Sequence, residues 1–505
     1  MRVVIQLPSL RSFAMKLLFP LLLATLAVPC FAGPKPPDPP PLEIPKPPPA
    51  QISSSEGMPP LPYPAVPMKR QEKKNPPQPP VLLTKIKSAD AEDWARTPND
   101  LKGLLESLSG EMNVHFSSNI KSFDEINPDP TKNPVLYRSG YKPFTLSQGE
   151  TARLREYVLN GGTIIFNSLV GNPDAYESAV KAAHQLLPER NVYRLRMDHP
   201  IFHSYYNIDK VQYRDRMVKD GVVVDPYPFI EGIDVDNRTA IIISRWDFSL
   251  GWEQNTHDSW GYADADSRKL GANIIAYATA MRDAGRSVGK SVDLADADKK
   301  NAGKFRVGQI IHSGPWNTRS AAFPMLLNSM NKETGTQVSF ELRNVSLTDA
   351  AIFEMPFLYL TGTTDFSFNE QERANLRKFL MNGGVLFAEA GEGRKSFDAA
   401  FHQEMAQVLP GKQLTAIPAN HELFRQPKDV TTVKARPALA ARKGNQIDES
   451  PEMLGIDVNG ALGVIYTPND LSAGWERAIA PYAAGYEPQD ATALGLNVLY
   501  YAVTH

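Results

Sequence analysis

Cysteine is almost missing from this 505-residue chain: there is one, Cys30. A single thiol forms no intrachain disulfide and builds no thiolate metal site. Because it lies in an apolar N-terminal stretch, it also supplies no nucleophile to a folded body. An excess of either charge is missing too, with 54 Lys and Arg against 56 Asp and Glu, a net charge of −2 and a pI near 6.5. That balance, without a basic patch interleaved with aromatics, argues against a nucleic-acid partner or an anionic membrane surface. Histidines are few, nine in all. Neither a metal nor a cofactor is expected to be held by them.

Long apolar runs are scarce. The one near the N-terminus, from Met15 to Ala32, has a basic start, an apolar core of about a dozen residues and a small residue at its end. It falls short of the ~20 residues a membrane span needs. Residues 1–32 therefore read as a secretory signal peptide, giving a periplasmic or secreted protein with no membrane span after cleavage. Lipid attachment at Cys30 is disfavoured by Pro29, which stands where a small residue is normally needed.

Proline, in contrast, is abundant, and much of it falls in residues 33–80: Pro39-Pro40-Pro41 and Pro47-Pro48-Pro49 are examples. Such a stretch has few backbone donors and little to bury. It is expected to be a disordered, extended tether reaching on the order of 150 Å at ~3.1 Å per residue. It is either a spacer or a ligand for a proline-reading partner such as an envelope protein.

Beyond it the chain repeats. Leu358-Tyr359-Leu360-Thr361-Gly362, a helix-patterned run from Glu370 to Met381, Gly383-Gly384 and Val385-Leu386-Phe387-Ala388-Glu389 read as strand, helix, glycine turn and strand. Leu136 to Gly140, Glu150 to Leu159, Gly161-Gly162 and Thr163 to Asn167 repeat that order. Trp94 and Trp316, Tyr137 and Tyr359, Gly162 and Gly384, and His199 and His421 are each 222 residues apart. A register held this long marks an internal duplication. The expected boundaries are a first module over 81–285, a linker over 286–303 and a second module over 304–505. Early strands are expected at Val81-Leu82-Leu83, at Val114-His115-Phe116, and at their partners in the second copy. Strands alternating with helices imply an α/β protein: two tandem three-layer sandwiches with mainly parallel sheets and helices on both faces.

Later blocks also pair, now one residue further apart. They include Gly232-Ile233-Asp234-Val235 with Gly455-Ile456-Asp457-Val458. Asp247-Phe248-Ser249-Leu250-Gly251-Trp252-Glu253 likewise matches Asp470-Leu471-Ser472-Ala473-Gly474-Trp475-Glu476. Together with the tyrosine–glycine strand, the double-glycine helix end and Asp198-His199-Pro200-Ile201-Phe202-His203, they resemble the bacterial domain of unknown function 4159. The resemblance spans both modules. It implies a flavodoxin-like or class I glutamine-amidotransferase-like fold in an exported protein, and it implies no known activity.

The two copies differ where a site is expected, at the carboxyl ends of the strands. Amidotransferase-like enzymes place a cysteine after the strand that ends here at Phe166 or Phe387. This chain has Asn167-Ser168 and Glu389-Ala390. The resemblance favours acidic residues there, which Glu389 and Glu392 satisfy, whereas the first copy has Asn167 and Val170. His199 and His421, expected near the same edge, would act as a base or bind a metal beside Asp247 or Glu389, or would close a turn by hydrogen-bonding the backbone. Asp247, Trp252 and Glu253, with Asp470, Trp475 and Glu476, would form a sugar platform, or else a turn cap with the tryptophan in the core. Three functions follow. The first is a non-catalytic binding or scaffold protein of unknown ligand. The second is a hydrolase, with or without the help of a metal, using Glu389, Glu392 and His421. The third is a carbohydrate-binding protein.

Overall fold

The computed structural model describes residues 37–40, 80–222, 225–281, 304–334 and 339–505. The expected signal peptide, Cys30, most of the proline-rich stretch and the linker lie outside them.

The first module builds strands β1 (Val81–Ile86), β2 (Phe116–Lys121), β3 (Val135–Gly140), β4 (Thr163–Ser168), β5 (Tyr193–Arg194), β6 (Ile230–Val235) and β7 (Arg238–Ser244). They form one sheet in the order β2-β1-β3-β4-β7-β6-β5. The first five in that order are parallel, and β6 and β5 extend the sheet antiparallel. The second module has β8 (Lys304–Ile311), β9 (Ser339–Ser346), β10 (Phe357–Gly362), β11 (Val385–Ala390), β12 (Thr415–Ala416), β15 (Leu454–Val458) and β16 (Ala461–Thr467). A small separate hairpin adds β13 (Val433–Lys434) and β14 (Asp448–Glu449). Its sheet order, β9-β8-β10-β11-β16-β15-β12, is the same topology. In both, the parallel strands follow the doubly wound order 2-1-3-4-5, which reverses between the first and third strands.

Strands β3, β4, β7, β10 and β11 are buried along their whole length, as parallel strands covered on both faces must be. On one face of the first sheet lie Leu101, Leu104, Leu105 and Leu108, the apolar stripe of helix Asp100–Met112, packed with Trp252, Leu270 and Ile274. On the other lie Leu154, Tyr157 and Val158 with Ala179, Ala183 and Leu186. Each such leucine contributes about 1.5–3 kcal/mol. Each module is thus an α/β unit with helices on both faces of a mixed, mostly parallel sheet. The second strand starts later than the sequence suggests. Asn113 takes a left-handed conformation (φ 52°) after the first long helix, and pairing begins at Phe116.

The repeated helix is capped identically in both copies. Ser147 and Glu150 form a reciprocal capping box, as do Asn369 and Glu372. The double glycines that end these helices have separate tasks. Gly161 (φ 106°) and Gly383 (φ 88°) adopt the left-handed turn. A Cβ at Gly162 or Gly384 would lie 2.2 Å from the Tyr157 ring or 2.3 Å from the Phe379 ring. The second glycine therefore allows the helix end to close on an aromatic ring.

Residues 37–40 rest against the first module, with Pro37 and Pro40 buried, so the expectation of a free tether does not hold for these four residues. Among the described residues, no helix is long and apolar enough to cross a membrane.

Candidate functional site

At the carboxyl edge of each sheet the strand-to-helix turn contains a residue with left-handed backbone, Val170 (φ 51°) after β4 and Glu392 (φ 55°) after β11. Non-glycine residues rarely adopt this conformation, and a β-branched one such as Val170 is an outlier. One aspartate holds the turn in each copy. Asp247 Oδ2 accepts from Val170 N (2.9 Å) while its Oδ1 accepts from Ser249 N (2.7 Å). Asp470 Oδ2 accepts from Glu392 N (2.7 Å) and its Oδ1 from Ala473 N (2.7 Å). Both aspartates are therefore engaged by the backbone.

The adjoining strand ends differ. Asn167 donates to Asp247 Oδ1 (2.9 Å) and accepts from Phe248 N (3.2 Å). Glu389, fully buried, accepts from the Tyr359 hydroxyl (2.5 Å), Leu471 N (2.6 Å) and Ser472 N (3.1 Å). Burial, reinforced by the neighbouring Asp470 charge, pushes the Glu389 carboxyl up to about 7. In the first module the equivalent tyrosine, Tyr137, donates instead to Asp100 (2.9 Å), which is ion-paired to Lys85 at 2.5 Å.

The Gly-Trp-Glu blocks are structural in placement. Trp252 and Trp475 are 2% and 3% exposed, and their indole N–H groups donate to Ser267 O and Ala491 O, each at 2.9 Å. Neither ring offers a face to a sugar. Glu253 accepts from Asn99 N (2.7 Å) and Glu476 from Ala321 N (3.2 Å), each tying down the start of the first long helix of its module.

The histidines are not at the carboxyl edge where they were expected. His199 Nδ1 accepts from Ile201 N (3.1 Å) and its Nε2 meets Thr239 Oγ1 (2.9 Å), beside the start of β7. Asn167 pairs with Ser244 at the other end of that strand, about 16 Å away at ~3.3 Å per residue. His421 Nδ1 accepts from Leu423 N (3.1 Å), and its ring lies 5.9 Å from that of Tyr501, whose hydroxyl serves Leu462 at the start of β16. Glu389 pairs with Thr467 at the far end of β16. Both imidazoles close turns. The grouping of His421 with Glu389 and Glu392 is not formed.

The two modules nevertheless meet head to tail, the amino edge of the first sheet covering the carboxyl edge of the second. Arg394 donates to Asp198 O (3.0 Å), Ser396 N to Asp198 Oδ2 (2.8 Å), and Arg196 forms a two-pronged pair with Asp365 at 2.9 and 2.6 Å. Tyr277 stacks on Tyr482 at 5.5 Å. At this junction Arg394 pairs with Glu392 (2.8 Å), and Arg319 with Glu476 (3.3 Å) and Asp470 (3.9 Å), all buried. His199 thus joins the second module's charges from across the junction. Burial, with the Arg394 charge, keeps its imidazole neutral by holding its pKa well below the usual value. Burial raises the Glu392 carboxyl against the opposing pull of Arg394 and Arg319. Glu392 Oε1 and Asp198 Oδ1 are buried without a hydrogen-bond partner among the described residues.

Beside this cluster is a cleft of about 350 Å³. Its second-module wall is the loop after β8, Ser313 to Thr318, and its first-module wall runs from Glu189 to Tyr193 with Asp234. Trp316 lines it while partly exposed. Thr318 Oγ1 and Arg190 Nε are buried there without a partner among the described residues. The loop follows the first strand of the second sheet, where the winding reverses. Among the described residues, no group of three or more His, Cys, Asp or Glu is placed to hold a metal ion.

Sequence reasoning missed Arg319 and Arg394, although a signal was present. Their counterparts are Thr97 and Asn172, and Asn172 caps its helix whereas Arg394 occupies the same position without a side-chain cap bond. The second copy therefore carries two acids and two arginines at one place, where the first has Asn167, Val170, Thr97 and Asn172.

Fold and junction together define a tandem doubly wound α/β protein in which one module closes the carboxyl edge of the other's sheet. The family model described as Domain of unknown function (DUF4159) matches residues 82–279 and again 306–503, and the chain belongs to that family. No curated protein matches it.

Proposed function

We propose that this is an exported binding protein whose ligand cleft lies at the junction of the modules and whose buried acids are structural. The observation behind this reading is the cleft itself. Its volume of about 350 Å³ is within the roughly 300–1,000 Å³ of small-molecule sites, and it lies at the switch point where doubly wound sheets bind ligands. Trp316 supplies an apolar ring face, while Arg190, Asn191 and Asn317 supply donors. These suit a sugar-sized molecule with one apolar face and several hydroxyl or carbonyl acceptors. The carbohydrate reading thus moves from Trp252 and Trp475 to Trp316. Glu389 is fully buried and accepts from three protein donors, so it presents no open face to a substrate. The organisation that goes with this reading is a signal peptide over 1–32, a proline-rich segment over 33–80, modules over 81–285 and 304–505, and a linker over 286–303.

Titration with a panel of cell-wall mono- and oligosaccharides, followed by tryptophan fluorescence, tests it. At least one ligand should bind, and Trp316→Ala should weaken binding at least tenfold. Flat titrations across the panel would overturn the carbohydrate reading.

One observation favours a hydrolase instead. Glu392 occupies a strained strand-to-helix turn, the place where α/β hydrolases present a nucleophile, and its Oε1 is unpartnered. At 1% exposure it would need the modules to part. Ester, amide or glycoside turnover that vanishes in Glu392→Gln would establish that reading and remove the first.

A further inference from the structure

The carboxyl edge of the second module is closed by the first module. The corresponding edge of the first module is met by the chain's own residues 37–40. Arg96 Nη1 donates to Pro40 O (2.6 Å) and His257 Nε2 contacts Asp38 O (2.7 Å). Pro37 and Pro40 are buried while Asp38 stays exposed. Arg96 follows the short helix Ala91–Trp94 after β1, and His257 follows the short helix Ser249–Trp252 after β7. The same two loops of the second module carry Ser320, which donates to Asp236 of the first module (3.3 Å), and Tyr482, which stacks on Tyr277. One surface is therefore used twice, once by a folded module and once by residues 37–40.

The chemistry of the contact explains why the strand is proline-rich. A proline has no N–H, so a polyproline-type strand presents carbonyl oxygens unengaged by internal hydrogen bonds. The first module meets it with donors, a guanidinium and an imidazole N–H. The guanidinium is positioned beforehand, because Arg96 Nε donates to Glu92 O (2.8 Å) and the group lies 6.0 Å from the Tyr141 ring centroid. A strand already fixed in the extended form loses little conformational freedom on docking.

We propose that this edge is a recognition site for an extended proline-rich strand and that Pro37–Pro40 occupies it in cis. Because the strand belongs to the same chain, its docking is intramolecular and a second proline-rich strand must compete with it.

The test uses a fluorescent peptide of residues 34–43 and the full chain. With Pro37, Pro39 and Pro40 replaced by Gly to empty the site, the chain should bind the peptide at least tenfold more tightly than the unmodified chain does. Adding Arg96→Ala and His257→Ala to that variant should remove the gain. Equal binding by emptied and unmodified chains, or binding indifferent to Arg96 and His257, would overturn the proposal. Hydrogen exchange provides a second readout that does not depend on the peptide. Amides of residues 88–96 and 254–260 should lose protection when the prolines are replaced, and unchanged protection would also overturn it.

Discussion

Replacing Glu389 by Gln isolates the cost of a carboxyl group buried beside a second one. In the unfolded chain this group titrates near 4.5, and in the folded chain burial and Asp470 raise it to about 7. Below pH 4.5 it is protonated in both states. Between the two values the folded chain binds the proton and the unfolded chain does not, so stability falls as pH rises through this window. At about 1.4 kcal/mol per pH unit, ionising Glu389 in place costs the fold about 3 kcal/mol by pH 8. An amide does not ionise, and the first module shows that one is accepted, since Asn167 takes the N–H of Phe248 at the equivalent point. Glu389→Gln should therefore be slightly less stable than the parent at pH 4.5 and gain on it by about 3 kcal/mol by pH 8. Urea unfolding of both proteins at pH 4.5, 6 and 8 measures the difference, in which titrating groups remote from Glu389 cancel. A stability difference that stays constant from pH 4.5 to 8 would refute the reasoning.

The same logic reaches the other buried groups. Arg394→Ala leaves Glu392 buried without its partner and should cost about 3–5 kcal/mol in chemical denaturation. The double change Glu392→Val with Arg394→Asn, which restores the first module's residues, should recover most of that; a double variant as unstable as the single one would show that the pair is not the cause. His199→Ala removes the cap of residues 200–202 and should cost about 1 kcal/mol at pH 7. Because the folded imidazole resists protonation, the parent carries a loss of stability below pH 6.5 that the variant lacks, so the gap should close by pH 5. A gap that widens on acidification would contradict the neutral, buried imidazole. Trp252→Ala should cost about 3–5 kcal/mol as a core deletion while leaving any ligand affinity of the junction cleft unchanged. Loss of affinity with intact stability would return the binding role to that tryptophan.

Much of the fold could be read in the residues because its signals are local. The stripe Leu101, Leu104, Leu105 and Leu108, the Ser147 and Asn369 capping boxes and the glycine pairs each act over a few residues. Duplication wrote each signal twice. The site was legible only in part. That Asp247 lies beside Asn167 and Asp470 beside Glu389 was not visible in the residues, and His199 and His421 were assigned to the wrong edge. A histidine between two short elements carries no mark of which end of the sheet it faces.

The sequence alone determined two copies of one α/β unit, the parallel strand-and-helix alternation, and the exchange of Asn167 and Val170 for Glu389 and Glu392. These follow from periodicity and register, which depend only on near neighbours along the chain. Tertiary structure decided that the second module's carboxyl edge lies under the first module, that His199 and Arg394 belong to one cluster 195 residues apart in sequence, and that Trp316 lines a cleft while Trp252 and Trp475 fill cores. Those outcomes depend on which surfaces exclude water from one another, and burial of that kind is set only when distant segments meet.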